Sequence, residues 1–314
     1  MEYRQLGNTD MQVSVVSFGA SSLGSVFRKV TEAEGIAAVH AAIDLGINFI
    51  DVSPFYGLTL AETMLGRALK SVPRDKYFLA TKVGRYGYTI DDFDFSAERV
   101  TTSVDESLER LGIDTIDIIQ CHDIEFGNLD QVVEETIPAL RRLQAAGKVR
   151  YVGITGLPLH VFTYVAERVD IDTILSYCRY ELNDTGLANL VPFLQAKGIG
   201  IINASPLGMG LLTQRGAPDW HPASPEMRQI CAQAAEHCAA KGVDIAQLAV
   251  QFSLANPDFA TTLIGTASAS NVAKNVQWAE LPLDEELVAE VLEILAPIAN
   301  QTWPSGRPEN NDPA

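Results

Sequence analysis

Short apolar runs alternate with longer amphipathic stretches along almost the whole chain. The runs are VVSFG (15–19), INFIDVS (47–53), YFLATKV (77–83), IDIIQCH (116–122), VRYVGIT (149–155), TILSYC (173–178), GIGIINAS (198–205) and ATTLIGT (260–266). They are apolar nearly throughout, which marks parallel strands covered on both faces. Helical periodicity fills the intervals at 32–45, 60–70, 97–111, 129–146, 158–168, 187–197 and 269–279. Gly46, Gly112, Gly147 and Gly198 stop several of these helices just before the next strand. An additional helix at 226–241 precedes one at 245–255, between the seventh and eighth runs. Residues 3–6, a Gly7-Asn8 turn and residues 11–13 open the chain as a hairpin.

A βαβ alternation with right-handed crossovers closes either as an open doubly wound sheet or as a barrel. Eight runs, and no early G-x-G-x-x-G between a strand and a helix, favour the barrel. The expected fold is α/β: a single (β/α)8 TIM barrel with an N-terminal β-hairpin and long loops on the catalytic face, spanning 1–305, with a flexible tail at 306–314. The long loops at 84–95 and 207–225 and the segment after Pro297 carry aromatics, and Tyr86, Trp220 and Trp303 are the candidate substrate walls.

Composition narrows the possible partners. A formal charge of −17 argues against nucleic acid or an anionic membrane surface, since both demand clustered Lys and Arg. The opening MEYRQLGNTD lacks a basic stretch followed by an apolar one, and no apolar run reaches the ~18 residues of a membrane span, so a cytoplasmic protein is expected. Cys121, Cys178, Cys231 and Cys238 show no C-x-x-C spacing and suit reduced thiols. No metal motif is present. A small-molecule substrate and a monomer or homodimer fit this picture.

Four residues carry candidate chemistry. Asp51 closes INFID, Tyr56 follows in the loop, Lys82 ends FLATK and His122 ends IIQCH, and adjacent strands would bring all four to one rim. Singly, each also fits a structural role: a helix cap, a packed loop phenol, a salt-bridge partner, a core histidine. Jointly they support proton transfer coupled to hydride transfer. A phenol of pKa ~10 needs a nearby ammonium to act near neutrality, which Lys82 would supply and Asp51 would hold, while His122 would orient the substrate oxygen. Cys121 beside His122 also raises a thiol nucleophile, against which a buried bystander is the simpler assignment. A barrel oxidoreductase without a metal needs a hydride carrier. Gly265-Thr266-Ala267-Ser268 leads into a helix and suits a phosphate, with Ser205-Pro206-Leu207-Gly208 opposite; both segments would also serve as plain turns.

These residues resemble the catalytic tetrad of the aldo-keto reductases. FGASSLGSVF (18–27), CHDIEFGNLDQ (121–131), GITGLPL (153–159), SYCRYELND (176–184), ASPLGMGLLT (204–213), DWHPASPE (219–226) and TWPSG (302–306) resemble, more narrowly, the family's L-galactose dehydrogenase branch. The resemblance implies a cofactor site with Ala20, Thr155, Tyr177, Ser205, Leu207, Gly265, Thr266, Ser268, Asn271 and Asn275. Thr155-Gly156 stands where relatives place a Ser-Asn pair on the carboxamide, Tyr177 where they place a Gln, and Ala204 where an aromatic often stacks on the nicotinamide. Gly265 and Asn271 occupy the positions of the Lys and Arg that clamp a 2′-phosphate in NADP-preferring relatives, which implies NAD with NADP less favoured. The implied reaction is NAD-dependent oxidation of an aldose such as L-galactose, L-fucose or D-arabinose at C1. The alternatives are an NADPH-dependent carbonyl reductase and a non-catalytic nucleotide-binding module.

Overall fold

The computed structural model describes residues 1–313. Two short strands, β1 (Tyr3–Gln5) and β2 (Gln12–Ser14), pair antiparallel as the expected hairpin. Eight parallel strands then close a barrel: β3 (Val16–Gly19), β4 (Phe49–Asp51), β5 (Phe78–Val83), β6 (Ile116–Cys121), β7 (Val149–Gly156), β8 (Thr173–Tyr177), β9 (Gly200–Ala204) and β10 (Thr261–Gly265), with β10 returning to β3. Each coincides with one of the eight apolar runs, β7 extending one residue past its run to Gly156.

Phe49, Ala80, Ile118, Leu175, Ile202 and Leu263 fill the barrel interior, together with Leu6, Met11 and Val13 from the hairpin. The hairpin closes the N-terminal end: Asn8 N–H donates to Gly198 O at 2.8 Å, and Gly7 approaches so closely that a Cβ would fall 2.3 Å from Gly200 N. Because side chains alternate along a strand, the residue two beyond each interior apolar position also faces inward. Phe49 is thus followed by Asp51, Ala80 by Lys82, and Ile118 by Gln120 and then His122. The interior turns from apolar to polar at the C-terminal rim, and this change of chemistry marks the floor of the site.

Local signals explain the helices. Thr31 and Glu34 form a reciprocal capping box at the start of Glu32–Asp44. Ala97–Leu111 begins on the Ser96 side chain and stops at Gly112, whose φ of 68° completes a left-handed cap. The expected 129–146 helix contains a π-helical turn over Val132–Thr136. One helix escaped the sequence pattern. Glu285–Leu295 is capped by Asp284 and buries Leu287, Val288, Val291 and Leu295 against Pro225–Ala240. Its apolar spacing is helical, but no apolar run follows it to mark a βα repeat.

The segment 306–313, expected from its composition as a flexible tail, makes specific hydrogen bonds to the barrel rim. Arg307 N–H donates to Glu125 O at 2.9 Å, and the buried Asn310 amide donates to Glu125 O and Gly127 O at 2.9 and 3.0 Å. Asp312 accepts from His160 N–H at 2.9 Å and from Arg179 Nη1 at 2.7 Å. These partners fasten the segment to the loops after β6, β7 and β8. No helix among the described residues is long and apolar enough to cross a membrane.

Asn310→Ala strips the Gly127 carbonyl of its donor in a buried setting. It is expected to lower unfolding stability in urea by ~1–3 kcal/mol. An unchanged midpoint would mean that the segment is not docked in solution.

Candidate active site

A cleft of about 810 Å³ opens at the C-terminal ends of the strands, within the range of small-molecule sites. Asp51, Tyr56, Lys82 and His122 all line it. At its floor the Lys82 ammonium donates to Asp51 Oδ1 and, at 2.9 Å, to Val52 O. Gln120 Nε2 donates to the other Asp51 oxygen at 2.8 Å. The ion pair is almost solvent-free, with side-chain exposures of 2% for Lys82 and 5% for Asp51. Lys82 Nζ lies 5.2 Å from the centre of the Tyr56 ring, and that ring meets the His122 ring edge to face at 5.7 Å.

The protonation states follow from burial. Burial works against the Lys82 ammonium, yet Asp51 and Tyr56 outweigh it and hold the amine above its usual range. Burial likewise raises the Tyr56 phenol, with Lys82 pulling it down and the Asp51 and Asp123 carboxylates pushing it up. The sequence predicts a phenol activated by Lys82; the structure places a protonated phenol beside an ammonium already balanced by Asp51. Burial lowers His122 to about 3, against the pull of Asp123, so the imidazole is neutral. Ser53 Oγ accepts Phe55 N–H at 3.1 Å and lies 3.0 Å from His122 Nδ1. The Asp123 carboxylate, with Oδ2 3.7 Å from Nε2, favours the ring's proton on that nitrogen, and the Ser53 hydroxyl is then free to donate to Nδ1. Burial also raises the Cys121 thiol well out of the nucleophilic range, as a bystander requires.

Of the other candidates, Ala20, Thr155, Tyr177, Ser205, Leu207, Gly265, Thr266, Ser268, Asn271, Trp220 and Trp303 line the cleft. Tyr86 and Asn275 do not. The Tyr86 hydroxyl accepts Gly84 N–H at 3.0 Å and its ring lies 4.0 Å under Arg99, so Tyr88 is the tyrosine of that loop that reaches the cleft. Asn275 is buried on the same helix face as Val272 and Val276, one turn beyond Asn271. Thr155 is committed to Asp123, accepting its N–H at 2.9 Å and donating to its carboxylate at 3.3 Å. Tyr177 donates to Glu125 at 3.4 Å, so its hydroxyl is already engaged.

Sequence reasoning passed over Ser53, Gln120, Arg85, Asp123 and Glu125. Gln120 had a readable signal, since it sits two residues before His122 on the same inward face. Asp123 directly follows His122, but nothing local shows that its φ of 48° turns its carboxylate toward the cleft. Arg85 has no pattern that separates it from a surface arginine.

Residues 15–296 match the Aldo/keto reductase family. The chain belongs to the aldo/keto reductase family. It is a nicotinamide-dependent oxidoreductase. Among its relatives, L-galactose dehydrogenase of Arabidopsis thaliana is 54% identical, with 99% of each chain covered. D-arabinose 1-dehydrogenase of Saccharomyces cerevisiae is 37% identical over 68% of this chain and 66% of the other. An aldo-keto reductase from Bacillus halodurans, solved in its holo form, superposes with a TM-score of 0.78 at 28% identity, covering 99% of this chain and 100% of that one.

An aldo/keto reductase must hold a dinucleotide, and this cleft fits one. Gly19 and Gly265 face each other across β3 and β10, where a Cβ on Gly19 would lie 3.2 Å from Gly265 Cα. The bare backbone there leads through Thr266 and Ser268 into Ala269–Glu280, whose N-terminal amides suit a phosphate. Ser268 caps that helix by accepting from Asn271 N–H. The positions of Gly265 and Asn271 carry no cation; Arg28 and Arg215, from two other loops, also line the cleft. Arg28 is paired with Glu34 at 3.3 Å.

Glu125 ties this rim together. Its Oε1 accepts Leu157 N–H at 3.2 Å and Ser305 Oγ at 2.9 Å, and burial followed by the nearby Asp123 charge pushes its carboxyl up to about 8. A raised acid stabilises the fold fully below its unfolded value near 4.5 and ceases to do so as pH rises through about 8. Glu125→Gln keeps the shape without the proton. Between pH 5 and 8 the wild type should therefore lose urea stability relative to the variant, by up to ~1.4 kcal/mol per pH unit. Parallel pH profiles would show that Glu125 is ionised in the fold.

Proposed function

We propose that this enzyme oxidises a cyclic aldose at its anomeric carbon to the aldonolactone, with NAD as the hydride acceptor. The substrate class rests on the likeness to L-galactose dehydrogenase, 54% over 99% of both chains. L-galactose is the first candidate, and L-fucose and D-arabinose follow, the last in keeping with the yeast relative. NAD is preferred because Gly265 and Asn271 offer no charge to a 2′-phosphate.

The bound oxidised cofactor supplies a hydride acceptor and a positively charged ring. Tyr56 serves here as the phenolate: its own proton first leaves to solvent, a loss that Lys82 and the positively charged ring favour, and the phenolate then takes the proton of the anomeric hydroxyl as the C1 hydride departs. Lys82, fixed by Asp51 and Val52 O, stabilises that phenolate, so its charge contributes most before the proton has moved. His122, neutral and protonated on Nε2, donates to the reacting oxygen and sets its angle to Tyr56. Ser205 and Leu207 on one side and Thr266 and Ser268 on the other line the cleft and would enclose the cofactor, and Trp220 and Trp303 would wall the sugar end.

The raised Tyr56 phenol supports one second reading, NADPH-dependent reduction of a carbonyl with Tyr56 as acid. Initial rates separate the two. Reduction of NAD should exceed that of NADP across L-galactose, L-fucose, D-arabinose and D-galactose; no reduction with any sugar, beside brisk NADPH-dependent aldehyde turnover, selects the second reading. Tyr56→Phe is expected to lower kcat by ~10²–10⁴-fold with nucleotide affinity kept. Equal loss of both would remove Tyr56 from the proton-transfer role.

A further inference from the structure

Beside the reacting end of the cleft lies a charged pair that the tetrad does not use. Arg85 Nη1 donates to Asp123 Oδ2 at 2.6 Å, and both residues line the cleft. The guanidinium sits among aromatics: its carbon lies 3.6 Å from the centre of the Phe55 ring, 5.3 Å from Phe93 and 5.7 Å from Phe126. Asp123 is fixed from its other side by Thr155, and its backbone adopts φ 48°, a left-handed conformation that side-chain-bearing residues reach only at some cost. This strained turn puts a carboxylate 3.7 Å from the His122 nitrogen that faces the reacting oxygen. The side chains are 7% and 20% exposed for Asp123 and Arg85, so both are largely desolvated.

A fold that needs only to stabilise itself does not gain from a strained, nearly dry carboxylate next to its proton-transfer groups. A polyhydroxylated substrate does. On an aldose the hydroxyl of C2 is vicinal to the anomeric oxygen, roughly the length of one hydrogen bond away from it. With the anomeric oxygen between Tyr56 and His122, a group beside His122 is the one in reach of that C2 hydroxyl.

We propose that Asp123 and Arg85 together determine specificity by recognising the hydroxyl on the carbon next to the reacting one, Asp123 accepting its proton and Arg85 donating to its oxygen. This rests on the aldose oxidation proposed above. The pair is ionised and preorganised before substrate arrives, so little ordering remains to be done on binding. Hydrogen bonds to charged groups discriminate more strongly than neutral ones, and a site built around a substrate hydroxyl rejects the analogue that lacks it. The aromatic surroundings also explain why an arginine is used: a lysine would not pack on Phe55 while offering a planar fork to two oxygens.

The test compares the best aldose substrate with its 2-deoxy analogue, in wild type and in Asp123→Asn. Wild type is expected to oxidise the 2-deoxy sugar with kcat/KM lowered by about 100-fold or more, whereas Asp123→Asn should lose about as much on the 2-hydroxy sugar and discriminate little between the two. Nucleotide affinity, read by fluorescence titration, should be unaffected, which a merely structural role for Asp123 would not explain. Arg85→Lys, which retains the charge but not the planar fork, should fall between. Wild type oxidising both sugars equally would overturn the proposal while leaving aldose oxidation standing. Asp123→Asn losing both sugars in equal proportion would overturn it too. Wild type oxidising no aldose would remove the underlying function and this proposal with it.

Discussion

The ion pair between Asp51 and Lys82 is the constraint on which the site depends. Two charges taken almost wholly out of water cost several kcal/mol each unless geometry and further hydrogen bonds compensate. Here the compensation comes from elements already fixed by barrel closure: Val52 O from β4's end, and Gln120 from β6. The register of β4 against β5, and of β5 against β6, decides whether these groups meet. A one-residue slip of β5 would turn Lys82 out of the interior and leave Asp51 unpaired. The pair therefore makes barrel register and active-site geometry one requirement.

Its electrical effect is smaller than its strength suggests. A balanced pair presents a dipole to its surroundings, and a dipole's influence fades faster with distance than a lone charge's. At Tyr56 the lowering by Lys82 is accordingly outweighed by burial together with the neighbouring carboxylates. The resting floor therefore has a protonated phenol, a neutral imidazole and a neutralised amine. Such a floor is ready to give a proton; to accept one its phenol must first ionise, which a positive charge entering the cleft favours.

Much of this was legible in the sequence because two simple regularities coincide. Parallel strands covered on both faces read as apolar runs, and a polar residue at the end of such a run lies at the barrel rim. Both rules apply to Asp51, Lys82 and His122, and Tyr56 follows from its distance along the next loop. Neither rule says which way a loop residue faces. Tyr86 and Tyr88 are equally aromatic, and it is the engagement of Tyr86 with Gly84 and Arg99 that leaves Tyr88 to the cleft. Asn275 lies off the cleft lining for a related reason: one helical turn beyond Asn271, its side chain is buried on the face of Val272 and Val276. Glu285–Leu295 was missed because it packs against another helix outside the alternating βα rhythm.

The walls of the cleft depend on contacts that no local pattern encodes. Ser305 reaches Glu125 across 180 residues of sequence, and Asn310 and Asp312 fasten the same segment, which begins just past Trp303. The chain's last turn is thus pinned to the loop that follows His122. The floor is dictated by strand register, whereas the wall is dictated by this late, long-range docking. A change in the docking can move Trp303 without moving Asp51 or Lys82, so substrate fit and proton chemistry can vary separately on one barrel. Glu125 is where the two meet, since its carboxyl holds Ser305 on one side and its chain neighbours Asp123 and His122 on the other.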